Sequence, residues 1–190
     1  LGRSAATEAA AIDLLGIAKP MVVDADGLNI AAAARFPWRE RTAPTVLTPH
    51  PAEMARLRGS DTASVQADRT AAARDYAAEH GVVVVLKGAE TVVAAPDGRL
   101  HVDAHRTVAL ATGGTGDVLA GLCGAMIAAG LDAFDAAVAA TTIHAEAGCI
   151  VEAEKGRAGA LAGDLLEALP IAQERLRRML ERIATFGARR

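Results

Sequence analysis

The chain has 190 residues, enough for one domain with a sizeable core, and 52% of them are hydrophobic, which suits a well-buried sheet. A net charge of −3 supplies no basic surface for nucleic acid, and 3% aromatics argues against base-stacking modules; a small anion stays open as a ligand, because local dipoles can outweigh a weak overall charge. Cys123 and Cys149 form no C-x-x-C pair, which fits small buried residues in a reducing cytoplasm, and the chain shows neither a membrane-length apolar run nor a signal-peptide pattern.

Ser4 is placed to cap a helix to about Leu15, ended by Gly16. Met21 to Asp24 reads as a strand and Gly27 to Ala34 as a short helix. Thr45 to Thr48 is a second strand. Pro51 opens a helix to about Leu57, since proline suits a first helical turn. Ser64 to His80 reads as one helix closed by Gly81. Val82 to Leu86 is apolar throughout and predicts a strand buried on both faces. Thr91–Ala95 and Leu100–Val102 flank Pro96-Asp97-Gly98, the pattern of a hairpin.

Gly114 to about Ala129 predicts a buried helix, with Val118, Leu119, Leu122, Met126 and Ile127 leaving little polar face. Asp132 caps the next helix, which runs to about Glu154. Pro170 is expected to open the last one. There Leu176, Met179, Leu180 and Ile183 form the inner stripe, and Arg175, Arg177, Arg178 and Arg182 face outward. Alternating strands and helices imply an α/β fold on a mostly parallel sheet, with residues 1–190 forming one domain. The chain opens on a helix with no strand before it, so the expectation is the C-terminal part of a longer domain.

The most informative segment is Ala111-Thr112-Gly113-Gly114-Thr115-Gly116-Asp117, standing between an extended stretch and a helix. Glycines allow backbone N–H groups to converge, and the helix start adds its positive dipole end, so the loop suits a phosphate or the charge that develops in phosphoryl transfer. Gly114 and Gly116 belong to that anion hole. Asp117 is placed to act as a general base; the plainer alternative is a first-turn carboxylate stabilised by the helix dipole. There is no GK[ST] ending, so this is not a Walker A loop, and no G-x-G-x-x-G follows an early strand, which argues against a Rossmann dehydrogenase.

Four further segments stand in order. Val22-Val23-Asp24-Ala25-Asp26-Gly27-Leu28-Asn29 places carboxylates and an amide at a strand end, where α/β folds bind ligands; loop capping by Asp24 and Asp26 is the alternative. Thr48-Pro49-His50-Pro51-Ala52-Glu53 is a rigid proline loop. Val85-Leu86-Lys87-Gly88-Ala89-Glu90-Thr91 ends a buried strand on a lysine and a glycine, a credible phosphate contact or a lysine reaching solvent. His144 shares a helical face with Ala137, Thr141 and Gly148 and reads as a packed or hydrogen-bonded structural histidine.

ATGGTGDVLAG followed by an Ala-rich helix resembles the ribokinase-like superfamily, whose fold is a three-layer α/β/α sandwich. Within it, the segments are similar to those of the nucleotide-dependent NAD(P)H-hydrate dehydratases: D-A-D-[AG]-L-N, T-P-H-P-G-E (with Ala52 in place of the glycine), V-L-K-G-x-x-T, and a histidine at the position of His144. Leu1-Gly2 is similar to the tail of that family's G-P-G-L-G loop.

The resemblance implies repair of NADH hydrate or NADPH hydrate using ADP or ATP with Mg2+. It implies Asp117 as base, with Gly114 and Gly116 in the anion hole. His50, Asp117, Asp26 and Asn29 are expected at the hydrated substrate, and Lys87, Gly88, Ala89, Glu90, Thr91 and Gly116 at the nucleotide. Glu53 is expected to hold magnesium through water, since magnesium favours hard oxygen ligands and retains its waters. A homo-oligomer and a functional link to an NAD(P)H-hydrate epimerase are also implied. Two alternatives stay open: a sugar or vitamin-alcohol kinase of the same superfamily, and a non-catalytic nucleotide-binding fragment.

Overall fold

The computed structural model of the protein describes residues 4–187, so the Leu1-Gly2 expectation lies outside the described residues. In chain order the elements are α1 (Ala5–Leu15), β1 (Met21–Val23), α2 (Asp26–Ala33), β2 (Thr45–Leu47), α3 (Pro51–Arg58), α4 (Thr62–Ala67) and α5 (Arg69–His80). There follow β3 (Val83–Leu86), β4 (Val92–Ala94), β5 (Leu100–Val102), α6 (Thr115–Ala128), α7 (Ala133–Lys155) and α8 (Ala162–Gly187). Ser4 and Asp132 cap α1 and α7 as their side chains suggest, Ser4 accepting from the Thr7 amide and Asp132 from the Phe134 and Asp135 amides.

The five strands lie in the order β1-β2-β3-β4-β5. β1, β2 and β3 are parallel, with Val22 beside Val46 and Val46 beside Val83; β3, β4 and β5 pair antiparallel. The sheet is therefore mixed, its parallel half carrying the motif-bearing strand ends and the expected hairpin completing the other edge. Burial on both faces follows the two-residue period of a strand. Along β3, Val84 and Leu86 pack with α2, α3 and α5 side chains such as Leu28, Met54 and Tyr76, whereas Val83 and Val85 pack with Leu119, Cys123 and Ala137 of α6 and α7. This is the α/β/α sandwich. Cys123 is fully buried and Cys149 half-buried; burial pushes the Cys123 thiol up to about 12.

Three expectations are corrected. Ser64–His80 is not one helix: Asp68 adopts a non-helical conformation (φ −147°, ψ 86°) and its carboxylate accepts from the Ala71 amide at 2.8 Å, starting α5 afresh. A short acidic side chain that competes for backbone amides favours such a break. The last helix starts at Ala162, not at Pro170. Leu165, Ala168, Leu169 and Ala172 pack on both sides of the proline in one cluster with α7, which holds the helix through the missing hydrogen bond. The stripe on that helix faces inward only as far as Leu176; Met179, Leu180 and Ile183 are 51–62% exposed. Among the described residues, Arg175–Glu146 is the last side-chain ion pair tying α8 to α7.

Candidate active site

Asp24 follows β1, His50 follows β2 and Lys87 follows β3, so the parallel strands deliver three motifs to one edge. Cross-links fix them there. The Thr48 amide donates to the Val23 carbonyl at 3.1 Å, and the Lys87 amide donates to the Pro49 carbonyl at 2.9 Å. The Lys87 ammonium lies 2.7 Å from Asp24 Oδ1 and 3.9 Å from Glu53 Oε2, with all three side chains largely buried. Lys87 thus stands between two carboxylates and does not run out to solvent. Ala25, between Asp24 and Asp26, has φ 51° and ψ −119°, a conformation L-residues avoid and that persists where surrounding structure enforces it.

Glu53 and His50 form a reciprocal cap on α3. His50 Nδ1 accepts from the Ala52 and Glu53 amides at 3.1 and 3.3 Å, and Glu53 Oε2 accepts from the His50 amide at 2.8 Å. Because Nδ1 accepts, Nε2 carries the proton in the neutral ring, and it lies 3.3 Å from Glu53 Oε1. The His50 side chain is 47% exposed.

The glycine-rich turn enters α6 through Gly114, whose φ of +89° is a glycine conformation. No side chain caps this helix. The Thr115 amide donates to the Thr112 carbonyl at 3.3 Å, which leaves the Gly116 and Asp117 amides, among the described residues, to meet an anion. Thr115 is locked from both sides: its hydroxyl reaches the Leu110 and Thr112 carbonyls at 2.8 Å each, and its carbonyl accepts from His144 Nε2 at 2.9 Å. His144 is buried, and that burial lowers its pKa to about 4, which keeps the ring neutral near pH 7. Gly116 approaches the lysine directly; a Cβ there would stand 3.3 Å from Lys87 Nζ and 3.5 Å from Asp24 Oδ2.

A cleft of about 330 Å³ opens beside this junction, lined by Lys87, Gly88, Ala89 and Thr91 on one side and Thr115 and Gly116 on the other. Of the residues expected at a nucleotide, Glu90 turns aside and pairs with Arg106. Asp117 is exposed as the third residue of α6, next to Gly116 but outside that cleft lining, and among the described residues its carboxylate takes no hydrogen bond or ion pair. Asn29 Oδ1 accepts from Arg56 at 3.0 Å, and Asp26 opens α2. Three residues belong here that the sequence did not single out. Asp103 is buried in the cleft wall and lies 2.8 Å from His105 Nδ1. Arg69 reaches the Lys87–Glu90 turn from α5.

Residues 1–171 match the sequence profile of the NAD(P)H-hydrate dehydratase family. The chain belongs to that family. It is 44% identical over 170 residues to the ADP-dependent (S)-NAD(P)H-hydrate dehydratase of Neisseria meningitidis serogroup B, covering 88% of this chain and 57% of that protein. It is 40% identical over 168 residues to the bifunctional NAD(P)H-hydrate repair enzyme of Moorella thermoacetica, covering 88% of this chain and 32% of that one. The crystal structure of the Bacillus subtilis ADP/ATP-dependent NAD(P)H-hydrate dehydratase, co-crystallised with ATP/Mg2+, aligns with a TM-score of 0.83 at 32% identity over 92% of this chain and 61% of that one. The chain thus spans less than two thirds of the length of each of these dehydratase-family relatives. The fold is the ribokinase-like one, as the motifs imply.

Proposed function

We propose that the protein dehydrates hydrated NADH or NADPH, using phosphoryl transfer from ADP or ATP. The observation that carries this reading is the meeting of uncapped α6 amides, the Lys87 ammonium and the Asp24 and Glu53 carboxylates at one sheet edge, with Asp117 one residue beyond Gly116. The 330 Å³ cleft is lined by Lys87, Gly88, Ala89, Thr91 and Gly116, which supports it as the nucleotide's place. In this reading Asp117, exposed beside that cleft, faces the second substrate.

In this reading Asp117 takes the proton of the ring hydroxyl as its oxygen attacks the terminal phosphoryl group. The amides around Gly114 and Gly116 hold the charge that develops on the transferring oxygens. The nucleotide supplies one phosphoryl group, which converts a poor leaving group into phosphate. The carbon–oxygen bond then breaks, phosphate leaves with the electron pair, and the adjacent ring carbon loses a proton to restore the double bond. His50, through Nε2, and Asp26 and Asn29 orient the hydrated ring.

Among the described residues no group of three or more His, Cys, Asp or Glu is arranged as a protein-only metal cage. Magnesium at phosphoryl-transfer sites takes one or two carboxylates, substrate phosphates and waters. The hard carboxylates Glu53 and Asp24 fit that mode, and the ion would add neutralisation of phosphate charge. Glu53 would act through a water, because its own oxygens already face His50 and Lys87.

Two unpaired thiols suit work in the cytoplasm. A functional link to an NAD(P)H-hydrate epimerase and assembly as a homo-oligomer complete the proposal. The bifunctional relative supports the first, and the exposed apolar end of α8 the second.

Product analysis tests the reading. Incubation with NADH hydrate and ADP is expected to release inorganic phosphate and restore the 340 nm absorbance of NADH. Accumulation of a stable phosphorylated alcohol in place of NADH would show a kinase of the same fold instead.

A further inference from the structure

Arg69 is the first residue of α5, eighteen positions from Lys87 in sequence and with no motif around it. Its guanidinium reaches across to the loop that follows β3. Nη2 donates to the Leu86 carbonyl at 2.9 Å and to the Glu90 carbonyl at 3.1 Å, the residues that bracket Lys87, Gly88 and Ala89. Nη1 donates to Gln66 at 3.2 Å, so the group is braced from α4 as well. The Asp68 cap fixes the backbone from which it springs.

The turn is shaped around this group. A Cβ on Gly88 would strike the Arg69 guanidinium directly. The guanidinium is the movable end of a long side chain, so it would give way sterically, but only by releasing the two carbonyls. Thr91 closes the turn from the other side, its hydroxyl donating to the Gly88 carbonyl at 3.1 Å. Arg69 is half-buried, and with the Leu86 and Glu90 carbonyls engaged by it the intervening Gly88 and Ala89 are held where they line the cleft. Both bonds to the turn come from Nη2, while Nη1 is held by Gln66; a lysine ammonium ends one bond short of Nη2 and has no second nitrogen for Gln66, so it does not take the same place between the two carbonyls.

We infer that Arg69 is a positioning residue for nucleotide binding, bridging the two ends of the Lys87–Glu90 turn so that the turn faces the phosphates in one conformation. The inference rests on the nucleotide-dependent reading above. Loss of the bridge leaves Lys87 held by Asp24 but frees Gly88 and Ala89, so the penalty falls on nucleotide affinity and not on the hydrated substrate.

The test is ADP binding by calorimetry on the purified protein, together with steady-state kinetics, for the wild type, Arg69→Ala, Arg69→Lys, Gly88→Ala and the double variant. Wild-type protein that binds no ADP would refute the nucleotide-dependent reading itself. Given wild-type binding, Arg69→Ala and Gly88→Ala are each expected to weaken ADP by about 10-fold, the scale of a lost charge-assisted bond. The KM for the hydrate should stay within about twofold. The double variant should be no worse than the weaker single, because both changes remove the same bridge. Arg69→Lys should behave like Arg69→Ala, and guanidinium ion at millimolar concentration should restore part of the affinity to Arg69→Ala alone. Multiplied losses in the double variant, wild-type affinity in Arg69→Lys, or equal losses in both substrates with a lowered melting temperature would overturn the inference.

Discussion

His144 illustrates how a single buried residue couples the site to pH. Its ring is buried under α6, its Nε2 donates to the Thr115 carbonyl, and burial lowers its pKa to about 4 from an ordinary value of 6.5. The unfolded chain therefore binds a proton that the folded chain refuses, so stability present above pH 6.5 is lost as the pH falls toward about 4. The loss reaches roughly 3 kcal/mol once both states are protonated. Denaturant unfolding from pH 7 to pH 4 is expected to show this decline in the wild type and a shallower one in His144→Gln, which keeps a donor and cannot titrate; equal slopes would remove His144 as the cause. The structural role was legible in the sequence from the face His144 shares with Ala137, Thr141 and Gly148. Asp24 was not: read locally it is a loop cap, and its partner Lys87 lies 63 residues away. His50 sits where the proline loop suggests, but its use of Nδ1 as a helix cap needs the backbone of Ala52 and Glu53 to be seen.

At the scale of elements, apolar runs identified β2, β3 and β4 because burial on both faces demands them, and β3 is the plainest instance; β5, largely exposed, was placed by the Pro96-Asp97-Gly98 turn before it. Helix ends depended on what a residue could bond. Ser4, Asp132 and Gly81 mark boundaries that the sequence shows, whereas Asp68 interrupts an otherwise uniform helical pattern with no glycine or proline to announce it. The last helix exposes a different gap: an apolar stripe reports that a helix has a face, not how far a partner extends along it. Leu165 is 1% exposed and Ile183 is 60% exposed on that one helix. Leu165→Ala is therefore expected to cost about 2–5 kcal/mol and Ile183→Ala less than about 0.5 kcal/mol. Equilibrium unfolding at low protein concentration, where any self-association is dissociated, checks this; comparable costs would mean that the outer half of α8 packs on its own chain.

For the whole molecule, the order of the motifs was readable because each falls at the C-terminal end of a strand or the start of a helix, where a parallel sheet gathers ligands. Sheet order and the antiparallel turn at β4 were less so, since pairing is a property of strands distant in sequence. The cleft itself is a product of that pairing: Asp103 enters its wall only because β5 returns alongside β4, with the Asp103 amide donating to the Thr91 carbonyl at 2.9 Å. The central claim concerns Asp117, which follows the anion loop and whose carboxylate, among the described residues, takes no hydrogen bond or ion pair. The most direct measurement is single-turnover conversion of NADH hydrate to NADH with saturating ADP in the wild type and in Asp117→Asn, with ADP affinity measured alongside. The account predicts a rate at least 10²-fold lower in the variant with ADP affinity within about threefold of wild type; an unchanged rate would contradict it.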